Sequence, residues 1–221
     1  MPLKLSRPIL YLITRGATTE ATTASAPEFA QILKQVAEAV AAGIDLIQIR
    51  EKQLTTRVLF ELVGEAAKLT RVSSTRLLVN DRADVAAGAG ADGVHLTTQS
   101  LDAATIRRAF GQDFLIGVST HTLAEVHTAR DQGGDFVVFG PVFETESKRA
   151  FGPAKGIGEL SGVVRDLRDY PVLALGGINP ANAEDCLAAG AAGIAGISLF
   201  DKPDSFGKLC LRFSQMKGAQ K

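Results

Sequence analysis

The sequence predicts a single (β/α)8 TIM barrel spanning residues 1–221. Three observations carry that expectation. Short apolar runs of strand character alternate with helical patterns eight times along the chain. At seven strand ends the apolar run breaks into a polar or glycine-rich cluster, at 48–52, 80–82, His95, 119–121, 140–148, 176–178 and 196–198, and parallel strands bring such ends to one face. No GxGxxG follows the first strand, which disfavours the alternative of an open, doubly wound dinucleotide-binding sheet.

The elements follow in order. Residues 10–14 form a first strand, and 27–42 a helix with Phe29, Ile32, Leu33, Val36, Ala37 and Val40 at helical spacing. A second strand at 44–49 leads to a helix at 55–72 and a third strand at 77–80. The Ala-rich stretch 83–89 passes through Gly90 and Gly93 into a strand at 94–96, followed by a helix at 101–110, a strand at 115–119 and a helix at 123–132. A strand at 136–140, a helix at 157–167, a strand at 172–175, a helix at 180–189, a strand at 192–197 and a last helix near 205–216 complete the count. Residues 15–26 and 144–155 are too polar or small for core and read as the least ordered stretches, placed after strands as lids over a barrel mouth are.

Composition narrows the class. Apolar residues make up 46% and charged residues 22%, in the range of a soluble enzyme and outside that of a disordered chain. Lys plus Arg and Asp plus Glu both total 24, so bulk charge offers nothing to nucleic acid and any anion site must be built locally. No run approaches the ~20 apolar residues of a membrane span, and the apolar stretch 9–13 behind Lys4 and Arg7 is too short for a signal peptide. Cys186 and Cys210 lie in helical stretches without metal or redox spacing, which fits a reduced cytoplasmic chain. Sequence gives no signal for oligomeric state.

The strand-end clusters carry the chemistry. Gln48, Arg50 and Lys52 alternate at the end of the second strand, so a period of two sends them to one side, which in a barrel can be the interior. On a solvated strand end they would pair with Glu51; buried, two cations and an amide form an anion site, the reading expected here. Asn80 and Asp81 end the third strand. Asp81 suits either a helix cap or a hard oxygen ligand for Mg2+ shared with substrate phosphate. Gly176, Gly177 and the run Gly196, Ile197, Ser198 follow strands seven and eight, where backbone N–H groups of this fold seat phosphate. Thr145, Ser147 and Lys148 lie in a loop able to close over phosphates. His121 is a candidate acid or base, His95 reads as structural, and His127 as a surface residue.

These motifs resemble a known family. Residues 47–52 (IQIREK), 79–85 (VNDRADV), 90–96 (GADGVHL), 116–122 (IGVSTHT), 139–148 (FGPVFETESK) and 175–179 (LGGIN) are similar to those of thiamine phosphate synthase and its relative thiazole tautomerase, over residues 10–200. In the synthase, hydroxymethylpyrimidine diphosphate loses pyrophosphate to give a stabilised carbocation, which the nitrogen of a thiazole phosphate captures. The resemblance implies that Gln48, Arg50, Lys52 and Asn80 bind the diphosphate, that Ser119 reaches the pyrimidine and that Asp81 holds Mg2+. It implies that Thr145, Ser147 and Lys148 cover the leaving group, Ser147 replacing the family's threonine, and that Gly177, Ile197 and Ser198 seat the thiazole phosphate.

One departure bears on the metal. Where the synthase pattern has a second metal-binding aspartate after the VHL strand, this chain has Ser100. The tautomerase lacks that aspartate too, needs no metal, and would use His121 as its base to aromatise a carboxylated thiazole phosphate. Asp81, Lys148 and the complete Gln48, Arg50, Lys52 set favour the synthase. A non-catalytic barrel that only binds phosphate ligands is a third reading, and the charge gathered at the mouth exceeds what it would need.

Overall fold

The computed structural model describes residues 8–145, 153–167 and 169–200. Within them the chain alternates strand and helix: β1 (Ile9–Ile13), α1 (Pro27–Ala41), β2 (Leu46–Ile49), α2 (Thr56–Thr70), β3 (Arg76–Asn80), α3 (Ala83–Ala89), β4 (Gly93–Leu96) and α4 (Ala103–Phe110). The second half repeats the pattern with β5 (Leu115–Thr120), α5 (Leu123–Asp131), β6 (Phe136–Phe139), α6 (Gly156–Asp166), β7 (Val172–Ala174), α7 (Ala183–Ala188), β8 (Gly193–Gly196) and a 3-10 turn (Ser198–Phe200). The strands pair in sequence order, all parallel, and β8 closes onto β1 with Tyr11 opposite Ala195. The predicted closed barrel is therefore the fold. The last predicted helix, 205–216, and Cys210 lie outside the described residues.

Side-chain alternation splits the core in two. One face of each strand fills the barrel with Ile9, Tyr11, Ile13, Leu46, Leu78, Phe136, Val138, Leu173 and Ala195. The other face packs Leu10, Leu12, Ile47, Leu77, Val79, Val94, Val137 and Ile194 against the helices. Phe29, Ile32, Val36 and Ala39 form the inner stripe of α1, at the spacing expected for a helix laid on a sheet.

Two of the boundary shifts have a local cause at a helix start. The predicted start at 101 moves to Ala103 because Asp102 caps α4, its Oδ1 accepting the Thr105 N–H at 2.7 Å. The predicted start at 180 moves to Ala183 because the Asn182 side chain accepts the Asn179 N–H at 2.8 Å and Asn179 accepts the Ala181 N–H at 2.8 Å, a local arrangement that competes with helix.

A repeat emerges at the amino-terminal end of the barrel. Asp45, Asp92 and Asp135 each precede an even-numbered strand and accept the N–H of the second residue of the strand before it: Leu10 at 2.8 Å, Leu77 at 2.8 Å and Ile116 at 2.7 Å. Each follows a glycine two residues earlier, Gly43, Gly90 or Gly133, whose φ of 75°, 82° or 86° turns the chain from helix into strand. At the fourth position Gly190 keeps the turn with φ 94°, and Ala192 stands where the carboxylate would be.

Candidate active site

The polar strand ends gather at the carboxyl-terminal mouth as expected for parallel strands. Gln48 is buried inside β2, 1% exposed, and its Nε2 has no hydrogen-bond partner among the described residues. Native proteins rarely leave a buried amide donor unpaired, so this atom marks a place for an acceptor.

Arg50 follows directly. Its backbone N–H donates to Thr14 Oγ1 at 2.8 Å, and Gly16 packs so closely that an added Cβ would lie 3.0 Å from the Arg50 carbonyl oxygen and 3.6 Å from Nη1. Glu51 turns away from this cation. Its carboxylate is 3% exposed and accepts the Gly16 N–H at 3.1 Å, the Thr18 N–H at 3.2 Å and the Thr18 hydroxyl at 2.8 Å. Residues 15–26, predicted to be among the least ordered, are thus fastened to the strand end beside Arg50. β2 ends at Ile49, so strand alternation does not continue to Lys52, which is exposed in the turn that follows.

His95 sits at the bottom of the mouth, 2% exposed, with Nδ1 at 3.1 Å from the Tyr11 hydroxyl and Nε2 at 2.9 Å from Ser119 Oγ. Burial, helped by the positive charge of Arg50, pushes its pKa down to about 3, so the ring is neutral at physiological pH. Burial also pushes the Tyr11 phenol up, keeping its proton. Ser119 is thereby placed on the inner face of β5 at the mouth. Tyr11 escaped the sequence reading; its only signal was an aromatic at an inward position of an otherwise aliphatic strand.

Asp81 is no helix cap: α3 begins after Arg82, which occupies the cap position without a side-chain bond. Asp81 instead takes φ 62°, in a tight turn closed by the Arg82 N–H donating to the Asn80 carbonyl at 2.8 Å. Its own N–H donates to the His95 carbonyl at 2.9 Å, and Asn80 lies opposite His95 in the β3–β4 ladder. Left-handed backbone at a non-glycine residue is a mild strain that places an exposed carboxylate at the rim. Ser100 offers no substitute ligand, because its Oγ accepts the Thr97 N–H at 2.8 Å and lies 3.1 Å from the Thr97 hydroxyl. Among the described residues no cluster of three or more His, Cys, Asp or Glu could hold a metal. The donor set fits a Mg2+ shared with substrate oxygens and does not fit an all-protein cage.

On the far side of the mouth, the loop after β6 runs along the end of β7. Val142 N–H donates to the Leu175 carbonyl at 2.8 Å and Phe143 N–H to the Gly176 carbonyl at 3.0 Å. Gly177, with φ 64°, lets this approach happen: an added Cβ would lie 2.7 Å from both Phe143 Cβ and the Glu144 carbonyl oxygen. The Gly177 carbonyl accepts from Asn182 Nδ2 at 3.0 Å. Ile197 is half-buried and Ser198 exposed where β8 enters its 3-10 turn. Thr145 is half-buried at the end of the described part of this loop; Ser147 and Lys148 lie outside the described residues.

His121 directly follows β5. Its N–H donates to Glu125 Oε2 at 2.6 Å and its Nδ1 lies 3.2 Å from the same oxygen, which ties the ring to the first turn of α5. His127 meets Asp166 Oδ2 at 2.8 Å, bridging α5 and α6 at the surface.

A closed parallel barrel with buried polar groups collected at the carboxyl ends of its strands defines a TIM-barrel enzyme. Residues 10–200 match the thiamine monophosphate synthase family. The chain belongs to that family. It is 47% identical over 167 residues, covering 76% of this chain and 78% of the other, to a putative thiamine-phosphate synthase of Geobacter sulfurreducens. It is 36% identical over 197 residues, covering 89% and 86%, to the thiamine-phosphate synthase of Roseiflexus castenholzii. The solved structure of a thiamine phosphate pyrophosphorylase from Pyrococcus furiosus superposes with TM-score 0.78 at 29% identity, covering 96% of each chain. No helix among the described residues is long and apolar enough to cross a membrane.

Proposed function

We propose that the chain is a transferase that couples hydroxymethylpyrimidine diphosphate to thiazole phosphate, releasing pyrophosphate and forming thiamine phosphate, in the cytoplasm. The family match over residues 10–200 carries this reading. The unpaired, buried Gln48 Nε2 beside Arg50 supports it, because a diphosphate supplies both the acceptor and the counter-charge this pair needs.

In this reading the C–O bond to the diphosphate breaks, pyrophosphate leaves, and a C–N bond forms to the thiazole. The protein's contribution is positioning and electrostatics. Arg50 balances the charge that grows on the leaving group, Gln48 and Asn80 hydrogen-bond its oxygens, and Lys52, Thr145, Ser147 and Lys148 complete its surroundings. Ser119 holds the pyrimidine ring. The backbone at Gly177, Ile197 and Ser198 seats the thiazole phosphate on the opposite wall. Asp81 would hold Mg2+, which when bound adds positive charge against the diphosphate. The apolar floor and the neutral His95 offer no strong base or nucleophile to trap an electron-poor carbon before the thiazole reaches it.

Purified protein given both substrates and Mg2+ should release pyrophosphate with formation of thiamine phosphate, followed by phosphorus NMR. Failure to form product would overturn the reading. The tautomerase reading is not carried forward, since the relatives reported above are named for the synthase activity.

A further inference from the structure

Three side chains from three separate strands form a line beneath the mouth: Tyr11 of β1, His95 of β4 and Ser119 of β5, joined by contacts of 3.1 and 2.9 Å. The direction in which their protons run is constrained. Tyr11 is fully buried, and among the described residues its hydroxyl meets His95 Nδ1 as its one hydrogen-bonding partner. A proton on Nδ1 would leave the phenol hydrogen without an acceptor in the interior, carrying the full desolvation cost of a buried donor. The phenol therefore donates to Nδ1, and the neutral imidazole carries its single proton on Nε2. That N–H donates to Ser119 Oγ, so the serine's own hydrogen must point elsewhere, into the half-buried mouth.

Two further observations agree. Burial keeps Tyr11 protonated and His95 neutral, the two states this arrangement requires. The unpaired Gln48 Nε2 is likewise a donor, so the polar groups left free in the buried part of the mouth ask for acceptors.

We propose that Tyr11 and His95 are positioning residues that fix Ser119 as a hydrogen-bond donor, so that the site selects a heterocycle presenting a ring-nitrogen acceptor at that point. The inference rests on the reading above that the pyrimidine lies against Ser119. It adds a polarity rule: an analogue with C–H in place of that nitrogen faces a serine hydrogen that cannot turn back toward His95.

The test uses the whole chain labelled with 15N-histidine, with His95 assigned by His95→Gln. The wild type should show the Nε2–H tautomer for His95. Tyr11→Phe keeps the ring that packs edge-on to Phe136 at 5.7 Å but removes the donor, and should mix the tautomers. In kinetics it should raise KM for the pyrimidine diphosphate about two- to tenfold, the size of one neutral hydrogen bond, with KM for the thiazole phosphate unchanged. It should also shrink the discrimination between that substrate and the pyridine analogue. Ser119→Ala should cost at least as much, and adding Tyr11→Phe to it should cost nothing more, since the relay acts through the serine. A wild-type His95 protonated on Nδ1, or a Tyr11→Phe penalty that persists in full on Ser119→Ala, overturns the proposal. A chain that makes no thiamine phosphate yet shows the expected tautomer and its loss in Tyr11→Phe refutes the functional reading and upholds the relay.

Discussion

Glu51 grips Thr18 twice, accepting its N–H at 3.2 Å and its hydroxyl at 2.8 Å, and so joins the loop after β1 to the residue next to Arg50. The carboxylate is buried, and its three partners are all loop groups. Glu51→Ala should therefore release that loop and loosen Arg50 together. The expected result is a raised KM for the pyrimidine diphosphate and faster amide exchange at Gly16 and Thr18. Unchanged exchange at those amides would refute the link.

Arg50→Ala should lower kcat/KM at least about 100-fold, the scale for losing a donor aimed at developing charge. Arg50→Lys should rescue only in part, since an ammonium cannot reproduce the guanidinium fork. Steady-state kinetics on the two variants decide this. Arg50→Lys as active as the wild type would mean that only charge matters there.

Asp81→Gly separates backbone from carboxylate. Glycine accepts φ 62° without strain, so the variant should fold as well as the wild type, within about 1 kcal/mol. Its turnover should nevertheless collapse and lose its response to Mg2+. Thermal melts alongside Mg2+ titrations of activity would show whether stability and turnover part in this way.

His95 should make the protein acid-sensitive. Folded, burial and then Arg50 hold its pKa near 3, while in the unfolded chain it returns to about 6.5. Between these values the unfolded state binds the extra proton, so stability falls as pH is lowered through that window, by up to about 1.4 kcal/mol per unit, and is unaffected above it. Urea midpoints of wild type and His95→Gln, compared at pH 7 and pH 4, should differ in slope. Parallel curves would refute the assignment.

Asp135→Ala should destabilise strongly. Asp135 accepts from Arg107 Nη2 at 2.8 Å, with side chains 10% and 11% exposed, and from the Ile116 N–H. Removing it strands a buried guanidinium and a strand amide, a loss of about 3–5 kcal/mol by analogy with other broken buried pairs. Arg107 keeps backbone carbonyls of Gly133 and Phe114 as acceptors, which places the figure toward the lower end. Chemical denaturation measures it.

The barrel was legible because strand ends repeat a pattern that period and polarity expose locally. Gln48 followed from alternation along one strand. Lys52 did not, because β2 stops at Ile49 and alternation has no meaning past a strand's end. The contacts of the Tyr11–His95–Ser119 line span 84 and 24 positions, and Glu51 reaches 33 back to Thr18, so neither spacing nor composition could reveal them. Asp81 was ambiguous in sequence because a cap and a ligand use the same residue type; the backbone turn rules out the cap.

The aspartates at 45, 92 and 135 lie at the amino ends of the strands, remote from the mouth. The barrel thus divides its labour by pole. One end is stitched by a recurring carboxylate, and the other gathers the polar groups proposed to meet substrate. Between β7 and β8, where Ala192 breaks the series, the junction is closed by backbone alone, the Ala192 N–H donating to the Val172 carbonyl at 2.8 Å.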